Sequence, residues 1–356
     1  MKHFLGCSKL FLSFLLLIAI TPVSFAQLNG DYTIGDVPGP RNFPTIEASI
    51  TALNAQGVNG AVVMKIKSGT YTPPTSSGWI LGNVNGMSNS NTVTFRPADS
   101  ASVELSGSCF SQTNLIRVCG IFRLKYAHHF IIEGSNGSLP VTRNMLIRNT
   151  SSNSAIGLAS GSNRNIIRNC IIQTSGSFIE GPCVIDFMCD GELIEHNTIE
   201  NNQIGDYEGI FGGSTGIQLW HATSNCSGIA NNQILKNDII NIGVGIYVSR
   251  KGSTTIIKGN SIHHSSGVLK TVAGGILNSG RQSIIDGNRF FGYTGNSVEG
   301  SLFYGIHSTV DSRIINNMIS FQSDGHGRFY GIRIQTDGGD ENDSVHIKHN
   351  SIFVSS

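Results

Sequence analysis

Residues 255–262 read TIIKGNSI, and the same phrase returns as SIIDGNRF at 283–290, SRIINNMI at 312–319 and VHIKHNSI at 345–352. In each copy an isoleucine is followed three residues later by asparagine and, two residues after that, by another apolar residue. With the looser copies that precede these four, the phrase occurs eight times from about residue 144 onward. Repetition at a regular spacing is the sequence signature of a protein built from stacked, similar units.

A second phrase, commonly Gly-Ile followed by alternating residues, lies between the copies of the first. Its isoleucines are spaced by 29, 32, 29, 30, 30 and 26 residues, and they are Ile156, Ile185, Ile217, Ile246, Ile276, Ile306 and Ile332. A period near 30 with short, β-branched strands predicts a parallel β-solenoid, in which each coil buries its apolar row against the next. Leucine-rich repeats are excluded because the leucine ladder is missing. Propeller blades would need about 40 residues each and Trp-Asp signatures.

The recurring asparagines have a structural explanation. At a tight turn between two strands asparagine tolerates the left-handed backbone region, and its amide can bond local backbone and the asparagine one coil away. We therefore expect an interior ladder formed by Asn169, Asn197, Asn232, Asn260, Asn288, Asn317 and Asn350.

The first 26 residues are interpreted as a cleaved export signal. Lys2 and Lys9 bracket a short basic region, residues 10–20 are almost wholly apolar, and Ser24-Phe25-Ala26 is a small-x-small cleavage site. The apolar stretch is shorter than the roughly 20 residues that span a bilayer, so we expect no membrane-spanning segment. The sequence therefore predicts a protein that is secreted, and is extracellular or held on the outer cell surface.

The mature chain divides into two predicted parts. Residues 27–89 are assigned to an N-terminal cap and the first coil, with a short amphipathic helix at about 44–56 that would cover exposed strand edges. Residues 90–356 are assigned to the β-helix. The chain stops directly after a repeat phrase without a change in composition, so we expect the β-helix to be truncated at its C-terminus.

Composition argues against several classes of function. Without the signal the chain holds 22 basic and 23 acidic residues, a balance that favours neither nucleic acid nor an anionic membrane as a partner. An exported protein can form disulfides, for which Cys109/Cys119 and Cys183/Cys189 are the nearest neighbours, and buried free thiols are an equal alternative. No Cys/His spacing resembles a zinc site, so we expect no metal site.

The repeat resembles the right-handed parallel β-helix proteins of the pectin-lyase-like superfamily, over about residues 90–356. The resemblance implies an all-β solenoid with three strands per coil. The Gly-Ile phrase would form the first strand, the isoleucine run before asparagine the second, and the residues after asparagine the third. The segment from Phe43 to Thr72 also resembles the opening of exported β-helix proteins from Bacteroidetes-type bacteria, many of which are cargo of type IX secretion.

Alternation within the Gly-Ile strands predicts a candidate binding surface, because residues next to an inward isoleucine point outward. Aromatic rings can cover the apolar faces of sugars, while amides and guanidinium groups bond hydroxyls or uronate carboxylates. In the superfamily that the chain resembles, this strand face usually holds substrate. A solvated sheet face is the alternative interpretation. We expect an extracellular polysaccharide or another cell-surface ligand to contact Asp186, Gln218, Trp220, Tyr247, His307 and Arg333.

Two functional hypotheses follow. The first is a monomeric binding module, an adhesin or scaffold, that needs no cofactor. The second is a polysaccharide lyase or glycoside hydrolase acting on uronate-containing polysaccharide, with Asp186, His307 and Arg333 as candidate catalytic residues and Ca²⁺ as the cofactor of a lyase. Gly325-His326-Gly327 and Arg333-Ile334-Gln335 resemble polygalacturonase signatures, but the carboxylate-bearing elements are missing, so we treat both matches as chance.

Overall fold

The computed structural model describes residues 26–355 except 36, 110–119, 138, 152, 175–182, 206–214, 222–224, 250–251, 265–272, 295–301, 310, 323–327 and 336–343. The described chain winds as an all-β, right-handed parallel β-helix with three long sheets and a short helix, which confirms the predicted fold class. We number the long sheets in the order in which one coil passes through them. Within the described part of the chain, no helix has the length and apolar character that a membrane span requires.

Each long sheet collects one strand from successive coils. Sheet 1 contains β5 (Trp79–Leu81), β8 (Phe122–Leu124), β11 (Ile156–Ala159), β14 (Cys183–Cys189), β18 (Thr215–His221), β22 (Val244–Val248), β26 (Ala273–Asn278), β29 (Leu302–Ser308) and β32 (Arg328–Ile334). Sheet 2 contains β1 (Leu28–Ile34), β2 (Asn42–Phe43), β3 (Val58–Ile66), β6 (Val93–Pro97), β9 (Phe130–Glu133), β12 (Ile166–Arg168), β16 (Thr198–Glu200), β20 (Gln233–Leu235), β24 (Ile256–Lys258), β27 (Ser283–Asp286), β30 (Ser312–Ile315) and β33 (Val345–Lys348). Sheet 3 contains β4 (Gly69–Tyr71), β7 (Val103–Gly107), β10 (Met145–Asn149), β13 (Ile171–Thr174), β17 (Gln203–Gly205), β21 (Asp238–Ile240), β25 (Ser261–His263), β28 (Arg289–Thr294), β31 (Met318–Gln322) and β34 (Ser351–Ser355).

The isoleucines of the Gly-Ile phrase form one interior row, as the period predicts. Each is paired directly with the isoleucine of the next coil, from Ile156 through Ile332. All of them are fully buried except Ile332, which is half-buried in the last of these strands. Because the row is in register, the residues beside it are also aligned from coil to coil.

The glycine of the same phrase cannot be replaced by a residue with a Cβ atom unless the interior shifts. At Gly216, Gly245, Gly275 and Gly305 a Cβ atom would lie 2.5–2.6 Å from the carbonyl oxygen of the corresponding glycine in the next coil. The same Cβ would also meet an interior side chain, such as Ile262 at Gly245. Strand pairing skips these positions, so glycine and the following isoleucine both turn toward the core.

Three successive coils contain one strand more than expected. The short parallel strands β15 (Ile194–Glu195), β19 (Ile229–Ala230) and β23 (Gly252–Ser253) form a small sheet between sheets 1 and 2. As a result, the residues that follow Asn197 and Asn232 belong to sheet 2 and not to sheet 3, so the predicted assignment is wrong by one sheet in these two copies. The cause is that the same Ile-x-x-Asn phrase fits both the turn before sheet 2 and the turn between sheets 2 and 3. The assignment is also wrong in the first copy, because Leu146 and Asn149 lie in β10 of sheet 3 and not in sheet 2.

The N-terminal helix is present where the sequence predicts it. Helix α1 (Ile46–Gln56) begins after Thr45, whose hydroxyl accepts a 3.1 Å hydrogen bond from the backbone N–H of Ala48. It ends at Gly57, which has a left-handed φ of 68°. Ile46 and Leu53 are buried.

The disulfide of the described chain is Cys189–Cys226, which ties the end of β14 to the segment before β19 in the next coil. Cys183 and Cys189, which are near neighbours in the sequence, are not bonded to each other, because they stand at opposite ends of a seven-residue strand, about 20 Å apart at 3.3 Å per residue. Cys183 is one of the buried free thiols that the sequence left as the alternative. Cys119 lies outside the described residues. Burial, with a smaller contribution from the Asp186 carboxylate, raises the pKa of the Cys183 thiol, so it stays protonated.

Candidate functional site

The outward residues of sheet 1 form a single column in continuous register, hereafter the outer column. It passes through the predicted Asp186, Gln218, Tyr247, Leu277, His307 and Arg333. On the N-terminal side it is extended by Gly157 and Arg123, neither of which is among the predicted residues. With coils about 4.8 Å apart, the column is a straight line of side chains along the solenoid axis.

The two halves of the outer column differ in exposure. Asp186 and Gln218 are buried, with 7% and 9% of their surface exposed, so neither offers a broad contact surface. Tyr247, His307 and Arg333 are half-buried, and within His307 the Nε2 atom is itself buried. Of the predicted residues in the outer column, those with more exposed surface therefore lie in its C-terminal half.

At this end four side chains form what we call the Tyr-Arg cluster: Tyr304, His307, Tyr330 and Arg333. The ring of Tyr304 stacks on Tyr330 at 5.4 Å and on His307 at 5.0 Å between ring centroids. The guanidinium carbon of Arg333 lies 5.3 Å and 5.5 Å from the two tyrosine rings, and its Nη1 donates a 2.5 Å hydrogen bond to the Tyr304 hydroxyl. Packing and hydrogen bonding thus fix the cation in one orientation, with other N–H donors left for a ligand.

A second line of outward positions on sheet 1 lies two residues beyond the outer column in each strand, and its exposure varies from strand to strand. Met188 packs in a small buried cluster with Ala159, and Ser249 is buried. Trp220, by contrast, is 38% exposed and lies beside Met188 in the strand pairing. An exposed indole of this kind offers a flat apolar surface of the sort that covers a sugar ring.

The acidic residues near the column are dispersed. The Asp190 carboxylate accepts a hydrogen bond from the Ser160 hydroxyl, and Glu195 lies 3.4 Å from the imidazole of His196. Across the described residues, no three His, Cys, Asp or Glu side chains converge as metal ligands would. Residues 325–327 of the polygalacturonase-like phrase lie outside the described residues.

The asparagines form two hydrogen-bonded columns instead of the single predicted ladder. One column, between sheets 2 and 3, contains Asn202, Asn237, Asn260, Asn288, Asn317 and Asn350. The other, before sheet 2, contains Asn165, Asn197 and Asn232. Asn169 is in neither, because its amide donates to Glu133 and its oxygen accepts from Asn201.

Several of these residues had a readable signal in the sequence. Tyr304 and Tyr330 belong to two copies of Phe-Tyr-Gly-Ile, at residues 303–306 and 329–332, and the shared spacing places both tyrosines in one column. Asn202 and Asn237 lie five residues after Asn197 and Asn232. Each of these two coils therefore has one asparagine at the turn before sheet 2 and one at the turn after it. No comparable signal marks Arg123, which lies before the first clear repeat.

Comparison with known proteins agrees with this architecture. The sequence matches no protein-family model and no curated protein. Among solved structures the chain is similar to a rhamnogalacturonan lyase, with a TM-score of 0.53 and 11% identity over 90% of this chain and 87% of that chain. It is also similar to XylC, solved in complex with xylose, with a TM-score of 0.50 and 11% identity over 86% of this chain and 70% of that chain. The pectate lyase Pel9A gives a TM-score of 0.49 and 11% identity over 89% of this chain and 80% of that chain.

The similarities to the rhamnogalacturonan lyase and to XylC show that the chain shares their fold. At 11% identity they extend to the path of the backbone and not to individual side chains. Because one fold hosts many activities, function has to be argued from the residues of the site.

Proposed function

We propose that this protein is a secreted or cell-surface β-helix module that binds extracellular acidic polysaccharide along the exposed half of the outer column. The observation that carries the proposal is the Tyr-Arg cluster, in which Arg333 is held over two stacked tyrosine rings and bonded to one of them. A guanidinium fixed in this way can bind the carboxylate of a uronate through paired N–H donors, at little further cost in side-chain entropy.

The rest of the exposed surface suits the same ligand. Tyr247, His307 and Arg333 lie in the outer column. Trp220 lies one coil before Tyr247 and two residues beyond the column in its own strand, so aromatic surface and polar donors share one face of sheet 1. A polymer lying along the solenoid axis would meet these groups in turn. The protein then acts as an adhesin or scaffold, exported by the signal at residues 1–26.

A second candidate function is a polysaccharide lyase or glycoside hydrolase, and one observation favours it. The Nε of Arg123 is buried and has no hydrogen-bond partner within the described residues. Arg123 lies two strands from Asp186 in the outer column, with only Gly157 between them. Because Gly157 has no side chain, it leaves space between Arg123 and Asp186 in the column. An arginine and a carboxylate on either side of such a space could take part in acid-base chemistry on a uronate.

The test is retention of the purified protein on immobilised polygalacturonate, alginate and glycosaminoglycan. We expect wild-type protein to be retarded on at least one of them, and Trp220→Ala, Tyr247→Ala and Arg333→Gln each to reduce retention. The matched control is Arg313→Gln, which removes an exposed arginine from sheet 2 and should leave retention unchanged. Equal retention of wild type and all three sheet 1 variants would refute the binding face.

The same polymers separate the two functions. Incubation with and without Ca²⁺ should release neither unsaturated sugar ends nor reducing sugar if the protein is a binding module. Release that is lost in Asp186→Asn and Arg123→Gln would establish the enzyme instead.

A further inference from the structure

A cavity of about 580 Å³ lies on the outer face of sheet 2, away from the outer column. Its floor is formed by β1, β3, β6, β9 and β12, and the connection between β9 and β10 forms one wall. The volume falls within the range of small-molecule sites in proteins. The proposed polysaccharide-binding face makes no use of this cavity.

The wall is an insertion into the repeat. Eleven residues, 134–144, join β9 to β10, whereas two residues join the corresponding strands of each later coil. The insertion is fastened at both ends: the N–H of Gly134 donates to the carbonyl of Arg168 at 2.8 Å, and Nε of Arg143 donates to the carbonyl of Asn201 at 2.9 Å. Loops that bind ligands are often insertions of this kind, which are anchored by hydrogen bonds and form one side of a cavity.

Three cations surround the cavity, and each is already paired with a carboxylate. Lys65 Nζ lies 2.8 Å from Asp31, Arg96 Nη2 lies 2.6 Å from Asp99, and Arg168 Nε lies 2.6 Å from Glu133. An added anion would therefore compete with carboxylates that are in place. The cavity is suited to a ligand without net charge.

Glu133 is held by several donors from the protein. Besides the Arg168 guanidinium, its carboxylate accepts the backbone N–H of Ser135 at 2.9 Å and the side-chain amide of Asn169 at 2.7 Å. Both oxygens are occupied by donors from the protein, so this buried carboxylate holds Arg168 in position and does not need a ligand.

Donors and acceptors remain for a ligand. A lysine ammonium has three N–H groups and a guanidinium has five, so Lys65, Arg96 and Arg168 each keep donors beyond their ion pairs. The Asp31 carboxylate is 60% exposed and can accept further bonds. Val63 and Val141 add apolar surface to the same cavity. A sugar has hydroxyls that both donate and accept, together with C–H faces that suit the valines.

We propose that this cavity is a second carbohydrate site, which holds one neutral sugar unit through Lys65, Arg96, Arg168 and Asp31. The site is independent of the polysaccharide-binding face, because it lies on another sheet and uses none of the same residues. It would recognise an uncharged chain end or side branch, while sheet 1 binds the acidic polymer.

The experiment is an NMR titration of the full-length protein with the methyl glycosides of galactose, glucose, xylose and rhamnose, and in parallel with galacturonate and inorganic phosphate. We expect at least one neutral glycoside to shift the resonances of the residues that line the cavity saturably, and to bind there more tightly than either anion. Lys65→Gln should weaken that binding by about tenfold, the effect of losing a charged hydrogen bond. Val141→Trp should abolish it by filling the cavity from the wall.

The chain offers a matched control. Lys258 and Asp286 form an ion pair of the same 2.8 Å length on the same sheet but away from the cavity, so Lys258→Gln should leave the affinity unchanged. Arg333→Gln should also have no effect, which separates this site from the face on sheet 1. Tighter binding of galacturonate or phosphate at the cavity residues, no binding of any neutral glycoside there, or an equal loss in Lys258→Gln would overturn the proposal.

Discussion

Single asparagine residues stabilise the interior of this solenoid through buried hydrogen bonds, in addition to its apolar contacts. Asn260 is fully buried in the column between sheets 2 and 3. Its oxygen accepts from the backbone N–H and the side chain of Asn237, and its amide donates to Asn288 and to the carbonyl of Ile234. Each asparagine thus satisfies polar groups in two neighbouring coils, which water cannot reach.

We predict that Asn260→Ala lowers the free energy of unfolding by about 3 kcal/mol, because it leaves several buried donors and acceptors without partners. The measurement is urea denaturation followed by circular dichroism. Asn350→Ala is the control, since this asparagine ends the column and is only half-buried, so water can replace its bonds. A loss at Asn260 no greater than the loss at Asn350 would contradict the ladder's role.

His264 gives the fold a dependence on pH. Burial, with a smaller effect of the neighbouring His263, lowers the pKa of His264 to about 4 from 6.5, against the opposing bond to the carbonyl of Ile242. Its ring packs 4.7 Å from the buried ring of Tyr293. Between pH 6.5 and 4 the unfolded chain therefore binds a proton at this residue that the folded chain does not. Stability from this histidine is complete above pH 6.5 and is lost as the pH falls toward 4.

We predict that acidification from pH 7 to pH 5 lowers the free energy of unfolding by about 2 kcal/mol through His264. This corresponds to about 1.36 kcal/mol for each pH unit below 6.5. In His264→Gln the difference in unfolding free energy between the two pH values should shrink by that amount. His346→Gln, which changes an exposed histidine, serves as the control. If wild type and His264→Gln lose the same stability on acidification, the buried histidine is not the cause.

At the scale of strands, the Gly-Ile phrase works because two consecutive residues face the core. The prediction is that Gly245→Ala destabilises the protein by about 2 kcal/mol, because its Cβ would stand 2.6 Å from the carbonyl oxygen of Gly275 and 2.7 Å from Ile262. Gly191→Ala is the control, since its Cβ would approach only the Ser160 hydroxyl, at 3.7 Å. The measurement is the thermal unfolding midpoint of wild type and of the two variants. Equal midpoints for Gly245→Ala and Gly191→Ala would contradict the prediction, because they would show that the interior around Gly245 can shift to accommodate a Cβ atom.

The sequence was sufficient to predict the isoleucine row, because strand side chains alternate with a period of two and coils repeat near thirty residues. It could not place Asn197 and Asn232, since an Ile-x-x-Asn phrase fits the turn before sheet 2 as well as the turn after it. The alternation of side chains also could not predict that Asp186 and Gln218 are buried. It shows which face of a strand a residue lies on, but not whether other residues cover that face. The cavity on sheet 2 was missed because residues 134–144 contain no repeat phrase.

At the scale of the whole molecule, stacking converts a one-dimensional repeat into long, straight surfaces. The core fixes which residues line up, and the departures from the repeat decide where a ligand can enter. Here the regular part yields the outer column of sheet 1, and the inserted wall yields the cavity on sheet 2. The two proposed sites therefore differ in kind: one suits an extended polymer and the other a single sugar.

The most direct test of the polymer-binding face is the dependence of affinity on ligand length, measured by calorimetry with galacturonate oligomers from the disaccharide upward. Tyr247 and Arg333 are three coils apart, about 14 Å at 4.8 Å per coil, so a ligand must be long enough to reach both. We expect the dissociation constant to fall as the oligomer lengthens, and Arg333→Gln to remove most of the gain. A dissociation constant that is the same for every length, or a gain that survives in Arg333→Gln, would contradict the account.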